Sequence, residues 1–127
     1  MDEVEKPCII CSLPIGEGRF KYCSDRCSKV AAYKRQGKYM KEYDRKLRKQ
    51  VLDLLGGICK RCGIDDVRVL QIDHIAGNGY KEMRENGWCG GRAHRYYRHI
   101  LEVSGEGYQV LCANCNWIKR YEKNEHN

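Results

Sequence analysis

The sequence predicts a small α+β fold that is stabilised by bound metal rather than by a large apolar core. The chain has 127 residues and 32% of them are charged, so apolar side chains are too sparse to fill a large core. Nine cysteines are present, and eight of them form close pairs. Short apolar segments and longer helical segments alternate with these pairs, which indicates the mixed α+β class.

The cysteine spacing is typical of zinc sites. Two or three residues separate the members of each pair, so both thiolates can reach one tetrahedral ion. A secreted disulfide scaffold is the alternative, but the odd cysteine count and the polar residues 1–7 favour a reducing, cytoplasmic setting. We predict two structural zinc ions and a free Cys89. The ligands are Cys8, Cys11, Cys23 and Cys27 for the first ion, and Cys59, Cys62, Cys112 and Cys115 for the second.

Residues 1–28 are predicted to form an N-terminal zinc ribbon, with prolines and glycines marking its turns. Ser24 and Asp25 are favourable N-cap residues for a helix that would carry Cys27. Sharing of one zinc ion between this section and a later cysteine pair is an alternative grouping, although residues 1–28 and residues 56–127 each hold a complete set of four ligands.

Residues 29–55 are predicted to be a basic helical linker that contacts DNA. Strong helix formers and the absence of proline predict helix over residues 25–55, and Gly37 is expected to divide it. Residues 21–49 hold eleven basic side chains against three acidic ones, a local charge of +8 within a chain of net charge +7. Charge concentrated in this way indicates a nucleic-acid partner, although a solvated helix without a partner has the same composition.

The remaining section, residues 56–127, is predicted to be a two-stranded hairpin followed by a helix. Residues 67–75 and 108–111 are rich in branched and aromatic residues and predict the strands. The final helix is expected to begin near Ala113, with Trp117 packing it on the hairpin. The strands are separated by a polar insertion, which includes a short predicted helix over residues 92–103.

An acid–histidine pair lies at the end of the first predicted strand, where the sequence reads Asp73-His74. Such a pair is a weak signal by itself. Here, however, Asn116 follows the last cysteine directly, so a zinc ion would fix it near the strand that carries the pair. The pattern Cys-x2-Cys, Asp-His-Ile, Cys-x2-Cys-Asn resembles the HNH, or ββα-metal, nucleases, and especially the phage recombination endonuclease VII type. The resemblance covers about residues 56–122.

The resemblance implies a ββα-metal core and a metal-dependent endonuclease that hydrolyses DNA. Asp73 then corresponds to the metal-binding acid, His74 to the general base, and Asn116 to the second protein ligand of a catalytic Mg²⁺ or Mn²⁺. Lys119 corresponds to a basic residue that can contact phosphate. The middle asparagine of the family is not evident, because this chain has Gly107-Tyr108 at that place.

DNA is the predicted partner, a membrane is not expected, and a homodimer would let each active site cut one strand. If the protein is encoded by a phage, as the resemblance to phage enzymes implies, we expect it in the cytoplasm of the bacterial host. The alternatives are a non-catalytic zinc DNA-binding module, a ribonuclease and a structure-selective junction resolvase.

His94 and His99 are expected to contact phosphate or solvent. The predicted nucleic-acid contacts are Lys34, Arg35, Lys38, Lys41, Arg45, Arg95 and Lys119.

Overall fold

The computed structural model describes residues 6–90 and 92–125 and divides the chain into two compact units, residues 1–42 and 43–127. The first helix, α1, spans Asp25–Leu54 without interruption. The expected break at Gly37 is therefore wrong. One glycine costs a helix only about 1 kcal/mol relative to alanine, which the strong helix formers on both sides of it offset.

The first unit is built around a tight cysteine knuckle. The backbone N–H of Cys8 donates to the carbonyl of Leu13 at 2.8 Å, and that of Ser12 donates back to the carbonyl of Cys8 at 2.9 Å. The Ser24 hydroxyl accepts a hydrogen bond from the Cys27 N–H at 3.2 Å, which caps the start of α1 as predicted. Few apolar side chains are buried in this unit, and Phe20, for example, is 87% exposed.

The second unit contains a two-stranded antiparallel hairpin. Strand β1, Leu70–His74, pairs with β2, Tyr108–Cys112, in a register that places Leu70 opposite Cys112 and His74 opposite Tyr108. Helix α4, Ala113–Glu122, follows β2 without a loop and contacts both strands. The predicted small α+β fold with a two-stranded hairpin is confirmed.

Two further helices lie in the connection between the strands. Helix α2 spans Gly79–Glu85 and α3 spans Ala93–Glu102. The prediction for residues 92–103 is confirmed, whereas α2 was not predicted because its sequence is polar and carries no apolar stripe. None of the helices in the described part of the chain is both long and apolar enough to cross a membrane.

The apolar core of the second unit forms where the end of α1 meets the hairpin and α3. Val51, Ile100 and Val110 are completely buried. Burial of an aliphatic side chain of this size contributes about 1.5–3 kcal/mol. This core fixes the hairpin from one side, and the second cysteine group lies beside it.

The predicted packing of Trp117 on the hairpin is wrong, since its side chain is 70% exposed. Cys115 and Lys119 are the buried residues of α4. Because successive helical residues are rotated by about 100°, position 117 lies on the opposite side of the helix from both of them. Trp117 therefore faces outward.

Candidate active site and metal centres

The structure gathers the paired cysteines into two groups of four, in which all four sulfur atoms lie within 4.8 Å of one another. The grouping is the one predicted, and no group among the described residues mixes the two sections. Tetrahedral zinc with Zn–S bonds of ~2.3 Å needs sulfur atoms about 3.8 Å apart. The Cys62 and Cys112 sulfurs lie 3.7 Å apart, and those of Cys11 and Cys23 lie 3.4 Å apart. Each group could therefore hold one structural zinc ion.

Backbone hydrogen bonds favour the thiolate form, which zinc requires, at the first cysteine of each group. Burial acts to raise the pKa of the Cys8 thiol, but hydrogen bonds from the backbone N–H groups of Cys11, Cys23 and Ile10 lower it to about 6. The pKa of Cys59 is likewise lowered to about 6 against the effect of burial, by three backbone N–H groups. The second group also holds a thiol that is shifted in the opposite direction, since a hydrogen bond with the Cys112 side chain, followed by burial, raises the pKa of Cys115 to about 12. Metal binding would therefore still have to displace protons from part of the group.

Cys112 connects the second group to the predicted site. It is the last residue of β2 and the N-cap of α4, and its sulfur accepts a hydrogen bond from the Cys115 N–H at 3.4 Å. Asn116 is the next residue on α4, and its amide nitrogen donates to the Gln71 side chain on β1 at 2.8 Å. The amide oxygen of Asn116 has no hydrogen-bond partner within the described residues.

A cleft of about 260 Å³ opens at the end of the hairpin. Asp73, His74 and Asn116 all line it, so the structure brings the three predicted site residues together. A further residue of β1, the connection that follows it and the C-terminal part of the chain from α4 onward complete the lining. These residues are Ile72, Gly77, Gly79, Tyr80, Arg120 and Glu125.

Asp73 is only 7% exposed, and each of its carboxylate oxygens has a hydrogen-bonding neighbour. Gln109 donates to one oxygen at 2.8 Å, and the Lys119 ammonium lies 3.3 Å from the other. Lys119 also donates to Glu125 at 2.8 Å and to the His74 carbonyl at 3.0 Å. Its expected role as a phosphate contact does not match this geometry, because the ammonium is buried between two carboxylates inside the protein.

Lys119 remains charged despite its burial. Burial acts to lower the pKa of its ammonium, but the hydrogen bonds from it to Glu125 and Asp73 outweigh that effect and raise the pKa above its usual value. A buried ammonium of this kind is stable only when an opposite charge is paired with it.

The His74 ring is held on three sides. Its Nε2 atom pairs with the carboxylate of Glu82 on α2. The ring stacks on Tyr96 at a centroid distance of 5.7 Å and meets the edge of Tyr108 at 4.9 Å. The Tyr108 hydroxyl donates to Glu82 at 2.7 Å. Burial raises the pKa of the Tyr108 phenol, and this hydrogen bond raises it further. Glu82 is thus a site residue that sequence reasoning missed.

The other two described histidines do not line the cleft. His94 Nδ1 lies 3.8 Å from a carboxylate oxygen of Asp44, and both atoms are buried without a hydrogen-bond partner in the described residues. His99 packs against Trp88 at a centroid distance of 5.0 Å. Both rings are half-buried and pack within the second unit.

The remaining predicted DNA contacts carry side chains that the structure leaves exposed, as a contact with phosphate would require. They are Lys34, Arg35, Lys38, Lys41 and Arg45 on α1 and Arg95 on α3. In comparisons with known proteins, no family model, no curated protein and no solved structure matches this chain.

Proposed function

We propose that the protein is a metal-dependent endonuclease that hydrolyses DNA phosphodiester bonds, with a ββα-metal core formed by β1, β2 and α4. One observation carries the proposal. The cleft at the end of the hairpin is lined together by Asp73, His74 and Asn116, an acid, an imidazole and an amide from two separate elements. Phosphodiester hydrolysis needs a base for water and neutralisation of charge at phosphorus, and these residue types supply both.

In this proposal His74 accepts a proton from the attacking water, because imidazole is the side chain suited to that transfer near neutral pH. Asp73 and the amide oxygen of Asn116 would hold the divalent ion, since hard oxygen donors are those that Mg²⁺ and Mn²⁺ prefer. When bound, the ion supplies Lewis-acid stabilisation of the charge that develops on the phosphate oxygens. With Lys119 already on Asp73, we expect the ion to be weakly held.

DNA as the substrate is supported by the charge and by the outer face of α4. The chain carries a net charge of +7, and the predicted contacts of α1 are exposed. Trp117 lies at the surface with the Arg120 guanidinium 5.3 Å from its ring centroid, and Arg120 also lines the cleft. Exposed aromatic rings beside arginine suit stacking on nucleic-acid bases.

A non-catalytic zinc DNA-binding module is the second candidate, and one observation favours it. The Lys119 ammonium already neutralises Asp73 within the described structure, which is the role a divalent ion would have in the nuclease. Such a module would bind DNA through its basic surface and leave the phosphodiester bonds intact.

Plasmid cleavage distinguishes the two candidates. Supercoiled plasmid is incubated with the zinc-loaded protein in Mg²⁺ or Mn²⁺, and EDTA serves as the metal-free control. We expect nicked or linear DNA, and we expect His74→Gln to lower the rate by about 10²- to 10⁴-fold because the base is lost. His94→Gln is the matched control, since His94 lies outside the cleft, and it should cut at the wild-type rate.

Two results would contradict the proposal. If the wild-type protein leaves the plasmid intact with every metal while still binding it, the zinc-module alternative holds. If His74→Gln cuts as fast as the wild type, the assigned base is wrong. Branched DNA and RNA in the same assay test whether the substrate is a junction or RNA.

A further inference from the structure

We propose that Glu82 is a positioning residue that fixes the His74 ring through Nε2, so that Nδ1 is the nitrogen that accepts the proton in the cleft. This inference rests on the proposed nuclease function and assigns the atom that performs its first step. Glu82 lies on α2, within the insertion between the two strands, and its side chain reaches the hairpin at His74.

The hydrogen bonding of the ring determines which nitrogen is free. A neutral imidazole carries one N–H and one acceptor nitrogen, and a carboxylate can only accept. The contact between Nε2 of His74 and Glu82 therefore places the N–H on Nε2 and leaves Nδ1 as the acceptor. Within the described residues no hydrogen bond engages Nδ1. Glu82 is itself oriented, because the Tyr108 hydroxyl donates to the same carboxylate oxygen at 2.7 Å.

The packing of the ring holds this orientation. Tyr96 covers one face of His74 at 5.7 Å, and Tyr108 meets it at 4.9 Å with the ring planes 62° apart. The His74 side chain is only 12% exposed. Turning the ring about its Cβ–Cγ bond would break the contact between Nε2 and Glu82, so the ring is held with Nδ1 beside Gly79, a residue of the cleft lining.

Gly79, which lines the cleft beside His74, leaves room next to the accepting nitrogen. A Cβ atom at this position would lie 2.7 Å from Nδ1 and 3.1 Å from Cε1 of the histidine. Gly79 is not among the glycines with positive φ, so its backbone conformation does not require glycine. It is also the first residue of α2, where alanine would favour the helix. The space beside Nδ1 is the property that glycine provides.

The chemical step balances with these groups alone. The proton of the attacking water passes to Nδ1 while the N–H on Nε2 stays hydrogen-bonded to Glu82. The water oxygen forms a bond to phosphorus, and the bond from phosphorus to the leaving oxygen breaks. That oxygen takes a proton from solvent, and His74 later releases its added proton to solvent.

Steady-state kinetics of the zinc-loaded protein test the activity. We expect Glu82→Ala to lower kcat about 10- to 100-fold with little change in KM, the range typical of outer partners of a site. Glu82→Gln should recover part of the loss, because its amide oxygen can still accept from Nε2. Glu85→Ala on the same helix is the matched control, since Glu85 contacts only Lys81 among described partners, and it should behave as wild type.

Gly79→Ala tests the approach to Nδ1 separately. We expect a folded protein with a lowered kcat, because the added methyl group lies against the accepting nitrogen. Gly37→Ala is the control, since a Cβ there meets nothing within 4 Å and that helix also gains an alanine. Full activity of Gly79→Ala would contradict the inference.

The protonation of the ring can be read without any cleavage. Long-range ¹H–¹⁵N correlation spectra of the zinc-loaded protein distinguish the two tautomers, and His74→Gln identifies the signals of His74. We expect the Nε2–H form in the wild type and a mixture of both forms in Glu82→Ala. A wild-type ring with its proton on Nδ1 overturns the inference. If His74→Gln is inactive and Glu82→Ala cuts at the full rate, this inference alone fails. If His74→Gln cuts at the wild-type rate, His74 is not the base, and if the wild type leaves the plasmid intact with every metal, the nuclease proposal fails.

Discussion

The two cysteine groups use the same backbone knuckle in very different surroundings. In both, the N–H of the first cysteine donates to the carbonyl five residues later, and the N–H four residues later donates back to the carbonyl of that cysteine. These two bonds measure 2.8 and 2.9 Å at Cys8, and 2.9 and 3.0 Å at Cys59. The local geometry that presents the thiolates is therefore shared by the two units.

What differs is the apolar packing around each knuckle. Ile9, within the first knuckle, is 69% exposed, and the buried apolar residues of that unit are two cysteines and Ala31 within the described chain. The second group instead packs with Leu52, Leu70 and Val110. One motif can thus act as the main stabiliser of one unit and as a clamp on an existing core in another.

Removal of zinc should give the largest difference between the units. With a strong chelator we expect the described part of residues 1–42 to lose all protection from hydrogen exchange, because structural zinc contributes on the order of 10–16 kcal/mol and little else holds that unit. Val51, Ile100 and Val110 should keep partial protection. Elemental analysis should find two zinc ions per chain before chelation. Equal loss of protection in both units would contradict the comparison.

Truncation of an apolar side chain should instead destabilise the second unit more than the first. Ile100→Ala removes a completely buried side chain and should lower the free energy of unfolding of the second unit by about 2–5 kcal/mol. Ile9→Ala is the matched control in the first unit and should change its stability by less than about 0.5 kcal/mol, because that side chain is exposed. Denaturant unfolding followed by residue-resolved NMR measures both. A large loss from Ile9→Ala would reveal apolar packing in the first unit.

The smallest expected difference concerns the fifth residue of each knuckle, which has a positive φ in both. Ser12 has φ 63° and Gly63 has φ 79°. Gly63→Ala should cost about 1–2 kcal/mol, because a side chain is strained in this region. Ser12→Gly should act in the opposite direction and by less, since glycine also loses more backbone entropy on folding. Competition with a chromogenic chelator measures the zinc affinity of each variant. Affinity losses of equal size and sign in Gly63→Ala and Ser12→Gly would contradict the shared geometry.

Much of the fold was predictable because its signals are local. The cysteine spacing predicted both groups, the branched residues predicted the hairpin strands, and Ser24 predicted the start of α1. The convergence of Asp73, His74 and Asn116 could be anticipated because Cys115 immediately precedes Asn116.

The missed features depend on contacts between distant residues. Glu82 contacts His74 only because α2 folds back towards the hairpin, and the polar sequence of α2 does not predict that contact. Lys119 is enclosed because Asp73 and Glu125 converge on it, although its sequence position suggested a surface charge. The nuclease chemistry itself stays a prediction.

Cys112 combines two structural roles that few side chains can fill together. It ends β2, caps α4 through its sulfur and belongs to the second cysteine group. Serine would preserve the cap and lose the thiolate, whereas histidine would offer a metal ligand and lose the cap. Mutational tolerance should therefore be low at this position, and a saturation library selected for folding should be strongly enriched in cysteine.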